Sequence, residues 1–133
     1  MPKGSCLCGA VAYEIDALAS PVVCCHCTTC RKAHASAFNV GARVRLDQFR
    51  WIRGEEVVAA FESSPGKQRF FCPRCGSQLV ALRAGEGSWV LRVASLDEDP
   101  GARPGMHIWM EDACPWATPA EGLPAHDRYP PAP

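Results

Sequence analysis

Nowhere in the 133-residue sequence does an apolar run approach the roughly 20 residues that a membrane-crossing helix needs. Neither sign of charge is in excess. Fourteen Lys and Arg residues cancel fourteen Asp and Glu residues. That excludes a general polyanion binder, because neutralising a phosphate backbone takes a surplus of basic side chains. There is no internal repeat, which excludes a stacked-repeat array. There is also no low-complexity tract and no convincing long helix. No leader is expected either, since Met1-Pro2-Lys3-Gly4 runs straight into the first cysteine pair.

What the sequence does have is cysteine, nine residues of it, in a chain that is 47% hydrophobic. That apolar content excludes a disordered chain. The length fits one domain, able to bury up to about 70% of its surface. The cysteine count is odd, and the thiols bunch as Cys6-x-Cys8, Cys25-x-Cys27-x-x-Cys30 and Cys72-x-x-Cys75. Thiols that close cross-link to one another only with strain, whereas bunching suits a metal. A disulfide framework in a secreted protein is the competing explanation. The bunching and the missing leader favour a reducing, cytoplasmic setting.

Taken in order, the chain reads as short strands. Val11, Tyr13 and Ile15 alternate onto one face after a C-x-C turn closed by Gly9. Val22-Val23-Cys24 is a short apolar strand that delivers the thiol loop. Arg31 to Ala35 allows one or two helical turns. Strand-like runs follow at 37–40, 49–53 and 57–61, then the turn residues Ser63-Ser64-Pro65-Gly66. Arg69-Phe70-Phe71 leads into Cys72-Pro73-Arg74-Cys75-Gly76, a zinc knuckle in outline. Residues 79–82 and 89–93 form a hairpin around Gly85-Glu86-Gly87. From Asp97 onward prolines break any long element, so irregular coil is expected. Trp51, Phe61 and Trp89 read as core. Arg43, Arg45, Arg50 and Arg53 mark a basic strand region, most simply a solvated face.

Seven of the cysteines divide as four plus three. Cys6, Cys8, Cys72 and Cys75 would make a closed four-thiolate site pinning the N-terminus to the middle of the chain. Cys25, Cys27 and Cys30 would make a second site with one tetrahedral position open, the form that catalytic zinc sites take. Zinc is the expected ion at both, since soft thiolates select it. Iron–sulfur ligation is the rival for an all-cysteine site. If the triad is instead closed by a fourth protein ligand, adjacent Cys24 is the candidate. Neighbours in an extended chain point opposite ways, which favours a buried Cys24. Cys114 reads as an unpaired thiol, and His34 and His126 as solvated or structurally bonded.

Three stretches carry a resemblance. They are Gly4-Ser5-Cys6-Leu7-Cys8-Gly9-Ala10-Val11, Cys25-His26-Cys27-Thr28-Thr29-Cys30-Arg31-Lys32 and Phe71-Cys72-Pro73-Arg74-Cys75-Gly76-Ser77. Together they resemble the glutathione-dependent formaldehyde-activating enzyme family, which includes the centromere protein V domain. His107-Ile108-Trp109, Trp116 and Gly122-Leu123-Pro124 also fit. The resemblance implies a mostly β domain over residues 1–124, with a Pro-rich tail at 125–133. Its fold would be several short coiled antiparallel β-sheets stapled by zinc, with little helix. It also implies a structural ion on Cys6, Cys8, Cys72 and Cys75 and a catalytic one on Cys25, Cys27 and Cys30.

The implied activity is that of a carbon–sulfur lyase, forming or breaking an adduct between glutathione and formaldehyde. The expected partners are therefore a small-molecule thiol and an aldehyde, with neither nucleic acid nor membrane. Arg31, beside the last ligand, is a candidate to offset the triad's charge or to meet a substrate carboxylate. His26, between two ligands, is expected to point away from the metal. The alternatives are a non-catalytic zinc-stapled binding module, with the basic strand region as its contact surface, and a protein that buffers zinc.

Overall fold

Alternating apolar residues and closely spaced turn residues make the elements short, and the sheets are assembled from many of them. The computed structural model describes residues 1–117, 123, 124 and 126–131. Among these are ten strands and a single α-helix, in the order β1 (Lys3–Ser5), β2 (Ala12–Ile15), β3 (Val22–Cys25), α1 (Thr28–His34), β4 (Asn39–Arg45), β5 (Phe49–Arg53), β6 (Ala59–Ser64), β7 (Lys67–Phe71), β8 (Gln78–Arg83), β9 (Ser88–Arg92) and β10 (Pro104–Ile108). One sheet has the order β1-β2-β5. The other has seven strands in the order β10-β3-β4-β9-β8-β7-β6. The fold is the mostly β, helix-poor small domain the sequence implies. Gly122 and the transition from residue 124 to a tail beginning at 125 fall on or beside residues outside those described.

The apolar core lies between the two sheets. Tyr13, Ile15 and Phe49 of the smaller sheet, with Val11 just before β2, pack against Val44, Leu79, Val80 and Leu91 of the larger one. Tyr13 stacks on Phe49 with ring centroids 5.2 Å apart. Burying side chains of this size contributes about 1.5–3 kcal/mol each. Trp51 and Trp89 pack partly against this core. Phe61 does not. It lies on β6, the edge strand of the larger sheet, and is 64% exposed. An edge strand is covered on fewer sides than a central one, which a hydrophobic pattern alone does not reveal.

The region after Asp97, expected to be irregular, contributes β10. It pairs in parallel with β3, placing His107 opposite Cys24 and Ile108 opposite Cys25. The other strand pairs are antiparallel. Pro104 can open this strand because β10 is an edge, where a missing N–H breaks no central ladder.

The face of the larger sheet turned away from the core carries the thiol loop, and strand register decides what shares that face. Cys25 pairs with Asn39. Two residues along β4, Gly41 pairs with Arg92, and Arg43 with Val90. Val90 pairs with Ala81, and Ala81 with Arg69. Because side chains alternate along each strand, Cys25, Arg92 and Arg69 project from one face across five strands. The small residues Gly41 and Ala81 between them leave room for α1 and for two arginine side chains.

Candidate metal centres

Two knuckles build the four-cysteine site. At the first, the Gly9 amide donates to the Cys6 carbonyl at 3.0 Å, and the Val11 amide donates to Cys6 Sγ at 3.2 Å. At the second, the Gly76 amide donates to the Cys72 carbonyl at 2.7 Å. Gly9 and Gly76 both take a φ of +80°, which L residues with side chains rarely adopt. Ser77, given no role in the sequence reading, bridges the knuckles. Its hydroxyl accepts from the Leu7 amide at 2.9 Å and lies 3.3 Å from Cys75 Sγ. The Ser77 hydroxyl, with the backbone at Ser77 and Cys8, pulls the Cys75 thiol down to about 5. The sulfur of Cys75 is thus held toward its anionic, ligating form.

The donor set can be tested against a metal. Thiolates about 2.3 Å from a tetrahedral ion stand about 3.8 Å apart. Cys6 Sγ and Cys8 Sγ are 3.6 Å apart, and Cys8 Sγ and Cys72 Sγ are 3.8 Å apart. All four sulfurs lie within 4.8 Å of one another, and all are free thiols. The cluster can hold a metal ion.

Cys25, Cys27 and Cys30 also converge within 4.8 Å of one another. No fourth His, Cys or carboxylate ligand atom joins them among the described residues. Cys25 ends β3, and Cys27 caps the helix that carries Cys30. The Cys27 sulfur accepts the Cys30 amide at 3.3 Å, so one thiol fixes the first turn of α1. This explains why the helix begins at Thr28, three residues before the sequence suggested. Cys25 and Cys27 are half-buried and Cys30 is buried, so the cluster opens to solvent on the loop side. Cys24 does not join. It is 4% exposed, and the strand alternation turns it away from Cys25.

Two arginines that the sequence reading assigned no role sit behind the triad. Arg69 brings Nη1 and Nη2 to 3.9 and 3.8 Å from Cys30 Sγ, while its Nε donates to Ser63 Oγ at 2.9 Å. Arg69 and Arg92 are each only 3% exposed. Neither has a carboxylate partner among the ion pairs of the described residues. Burial pushes the Cys30 thiol up, but Cys27, the Arg69 guanidinium and the charges of Arg69 and Arg92 outweigh it and lower the thiol. Cys25 goes the other way. Burial raises it to about 12 despite a hydrogen bond at the Cys27 backbone. Burial, then the neighbouring Arg69, lowers Arg92 to about 10, and the same two causes with Arg92 bring His34 to about 4. A charged residue inside the β7 run Lys67–Phe71 was the one sequence signal available for Arg69.

Arg31, the candidate to offset the triad's charge or to meet a substrate carboxylate, also contacts the turn at 110–112. Its Nη1 donates to the Asp112 carbonyl at 2.9 Å, and the Thr28 amide donates to the Asp112 carboxylate at 3.3 Å. Both contacts tie α1 to the turn at 110–112. His26 turns toward Phe38 and His107, its Nε2 lying 2.8 Å from His107 Nδ1. His34 is half-buried on α1, His126 is exposed, and Cys114 is a buried free thiol. The four arginines of the basic strand region are all engaged: Arg43 with Glu86, Arg45 with Asp47, Arg50 with Glu14 and Asp16, and Arg53 with the Gly9 carbonyl. No helix of the described residues is long and apolar enough to cross a membrane.

Known proteins are similar to this chain. A family model described as "Glutathione-dependent formaldehyde-activating enzyme" matches residues 1–112, a span that includes all seven clustered cysteines and both buried arginines. An uncharacterized lyase of Schizosaccharomyces pombe is 31% identical over 77 residues, covering 58% of this chain and 54% of that protein. The chain thus spans about half the length of that curated relative. A crystal structure of a Rhodobacter sphaeroides protein matches with a TM-score of 0.64 at 26% identity, over 79% of this chain and 97% of that one.

Proposed function

Because the chain belongs to the glutathione-dependent formaldehyde-activating enzyme family, we propose that it forms or breaks an adduct between a glutathione-like thiol and a formaldehyde-like aldehyde, as a carbon–sulfur lyase. Cys6, Cys8, Cys72 and Cys75 hold a structural zinc, and Cys25, Cys27 and Cys30 hold a second one. Cys25, Cys27 and Cys30 would hold the second ion, which when bound would stabilise a substrate thiol as thiolate near neutral pH. In the addition, the substrate sulfur bonds to the aldehyde carbon, the carbonyl π bond opens, and the thiol's proton ends on the resulting oxygen. The reverse reaction breaks the carbon–sulfur bond and returns the proton to sulfur.

The chain's own part is to position and to balance charge. Arg69 and Arg92 together carry two positive charges in a buried setting. A divalent ion with three cysteine thiolates offsets only one of them. With a fourth thiolate, from substrate, it offsets both. Arginine stays charged at any ordinary pH, so this pair favours a substrate that arrives as an anion. Holding sulfur and aldehyde at one centre supplies much of the remaining rate gain.

The observation that carries the reading is the three-sulfur cluster with no fourth ligand atom among the described residues, backed by two buried guanidiniums. Replacing Cys27→Ser tests it through zinc per chain and thiol-dependent aldehyde consumption. The expected result is loss of one zinc together with the activity. Activity that survives the loss of that zinc overturns the mechanism. A binding module is the weaker reading, because the arginines that would form its contact surface are already paired. Protection of the triad from alkylation by glutathione separates the two.

A further inference from the structure

Beyond the triad, buried polar atoms without partners gather around one recess. Five such side-chain atoms occur among the described residues: Arg31 Nε, His34 Nε2, Gln78 Oε1, and Nε and Nη2 of Arg92. His34, Gln78 and Arg92, which supply all but the first, line a recess of about 520 Å³. Ser5 and Asp97 line it too, with the Ser5 hydroxyl donating to Asp97 Oδ1 at 2.7 Å. Asp97 is exposed and has no cationic partner among the ion pairs of the described residues. One cavity is therefore walled by a buried guanidinium with two unpaired nitrogens, an exposed carboxylate with no cationic partner among the described residues, and an amide oxygen lacking a donor. A buried polar group left unpaired is destabilising, more so if charged, so a ligand that pairs these atoms is favoured here.

We propose that this recess binds the α-amino-acid end of the thiol substrate, its carboxylate on Arg92 and its ammonium between Gln78 Oε1 and Asp97. The carboxylate supplies acceptors in the planar geometry that a guanidinium matches. The ammonium supplies donors that Gln78 and Asp97 lack. A neutral aldehyde or a simple alkyl thiol supplies neither. His34, held neutral by burial and by its arginine neighbours, adds no competing positive charge. The recess is coupled to the triad. Asn39, in the recess wall, pairs with Cys25 between β4 and β3, and His34 lies one helical turn beyond Cys30 on α1. The inference rests on the triad's taking a thiol and adds which part of that molecule the chain grips.

Calorimetric titration of the zinc-loaded protein with S-methylglutathione tests it, since a blocked sulfur removes the triad's contribution. Binding is expected to the unaltered protein. It should weaken at least about tenfold in Arg92→Met, the loss expected when a charge-assisted hydrogen bond goes. It should weaken measurably in Gln78→Leu, which decides the matter if Arg92→Met fails to fold. 2-(Methylthio)ethylamine, an ammonium with a blocked sulfur and no carboxylate, should bind Arg92→Met and the unaltered protein equally. The proposal is overturned if S-methylglutathione does not bind the unaltered protein, or binds Gln78→Leu or a folded Arg92→Met as tightly. Failure of the triad reading looks different: S-methylglutathione still binds, but glutathione leaves the three thiols open to alkylation.

Discussion

Arg69 acts on the triad through a single atom, the sulfur of Cys30, which it approaches with both terminal nitrogens. Such outer contacts orient a ligand and stabilise its anionic form, and removing them typically costs about 10- to 100-fold in metal affinity. Arg69→Met should therefore speed loss of one of two zincs to a chelator by about that factor, read with a colorimetric zinc indicator. Arg69→Lys should fall between the two, because it keeps the charge and loses the fork. Equal release from all three proteins would remove Arg69 from the centre. This residue was not legible in the sequence. Cys25, Cys27 and Cys30 could be grouped because they fall within six residues of chain. Arg69 lies 39 residues beyond Cys30, and only strand pairing brings it back.

At the scale of elements, local signals placed strands well and edges poorly. The run expected at 49–53 is β5, and the expected hairpin at 79–93 is β8 and β9. Those segments alternate and are flanked by turn residues, so their own residues decide them. β10 has no such pattern. It becomes a strand because β3 offers an unpaired edge. The turn after β5 shows how tightly elements meet. Gly54 takes a φ of +78°, and a Cβ there would run into the Ala10 carbonyl. Gly54→Ala adds backbone strain to a clash with atoms that cannot rotate away. It should destabilise the fold by about 2 kcal/mol or more, measured by urea unfolding. An unchanged midpoint would show that the β2 and β5 ends separate easily.

In the whole molecule, the four-cysteine site ties together segments from both sheets. Cys6 and Cys8 follow β1 of the smaller sheet, and Cys72 and Cys75 follow β7 of the larger one. Cys8 and Cys72 are 64 residues apart in the chain. Closing a loop of that length with a covalent cross-link is worth about 4 kcal/mol on the loop-entropy account. A metal bridge across the same span should contribute on that order. Cys72→Ser is expected to lower Tm by more than about 10 °C, and Cys27→Ser by much less, since its cluster spans six residues. Similar shifts in the two variants, followed by differential scanning calorimetry, would mean that the four-sulfur site does not brace the fold.

By itself the sequence determined the donor atoms and their grouping into loops, because three-, four- and six-residue spacings are short enough for local geometry to settle. It also determined the β class, through alternation and turn residues. Only the tertiary structure decided what surrounds those donors: two arginines without carboxylate partners among the described residues, a recess lined by unpaired polar atoms, and a strand drawn from a proline-rich segment. Each depends on register between strands far apart in the chain, and register is set by how the two sheets bury their common core.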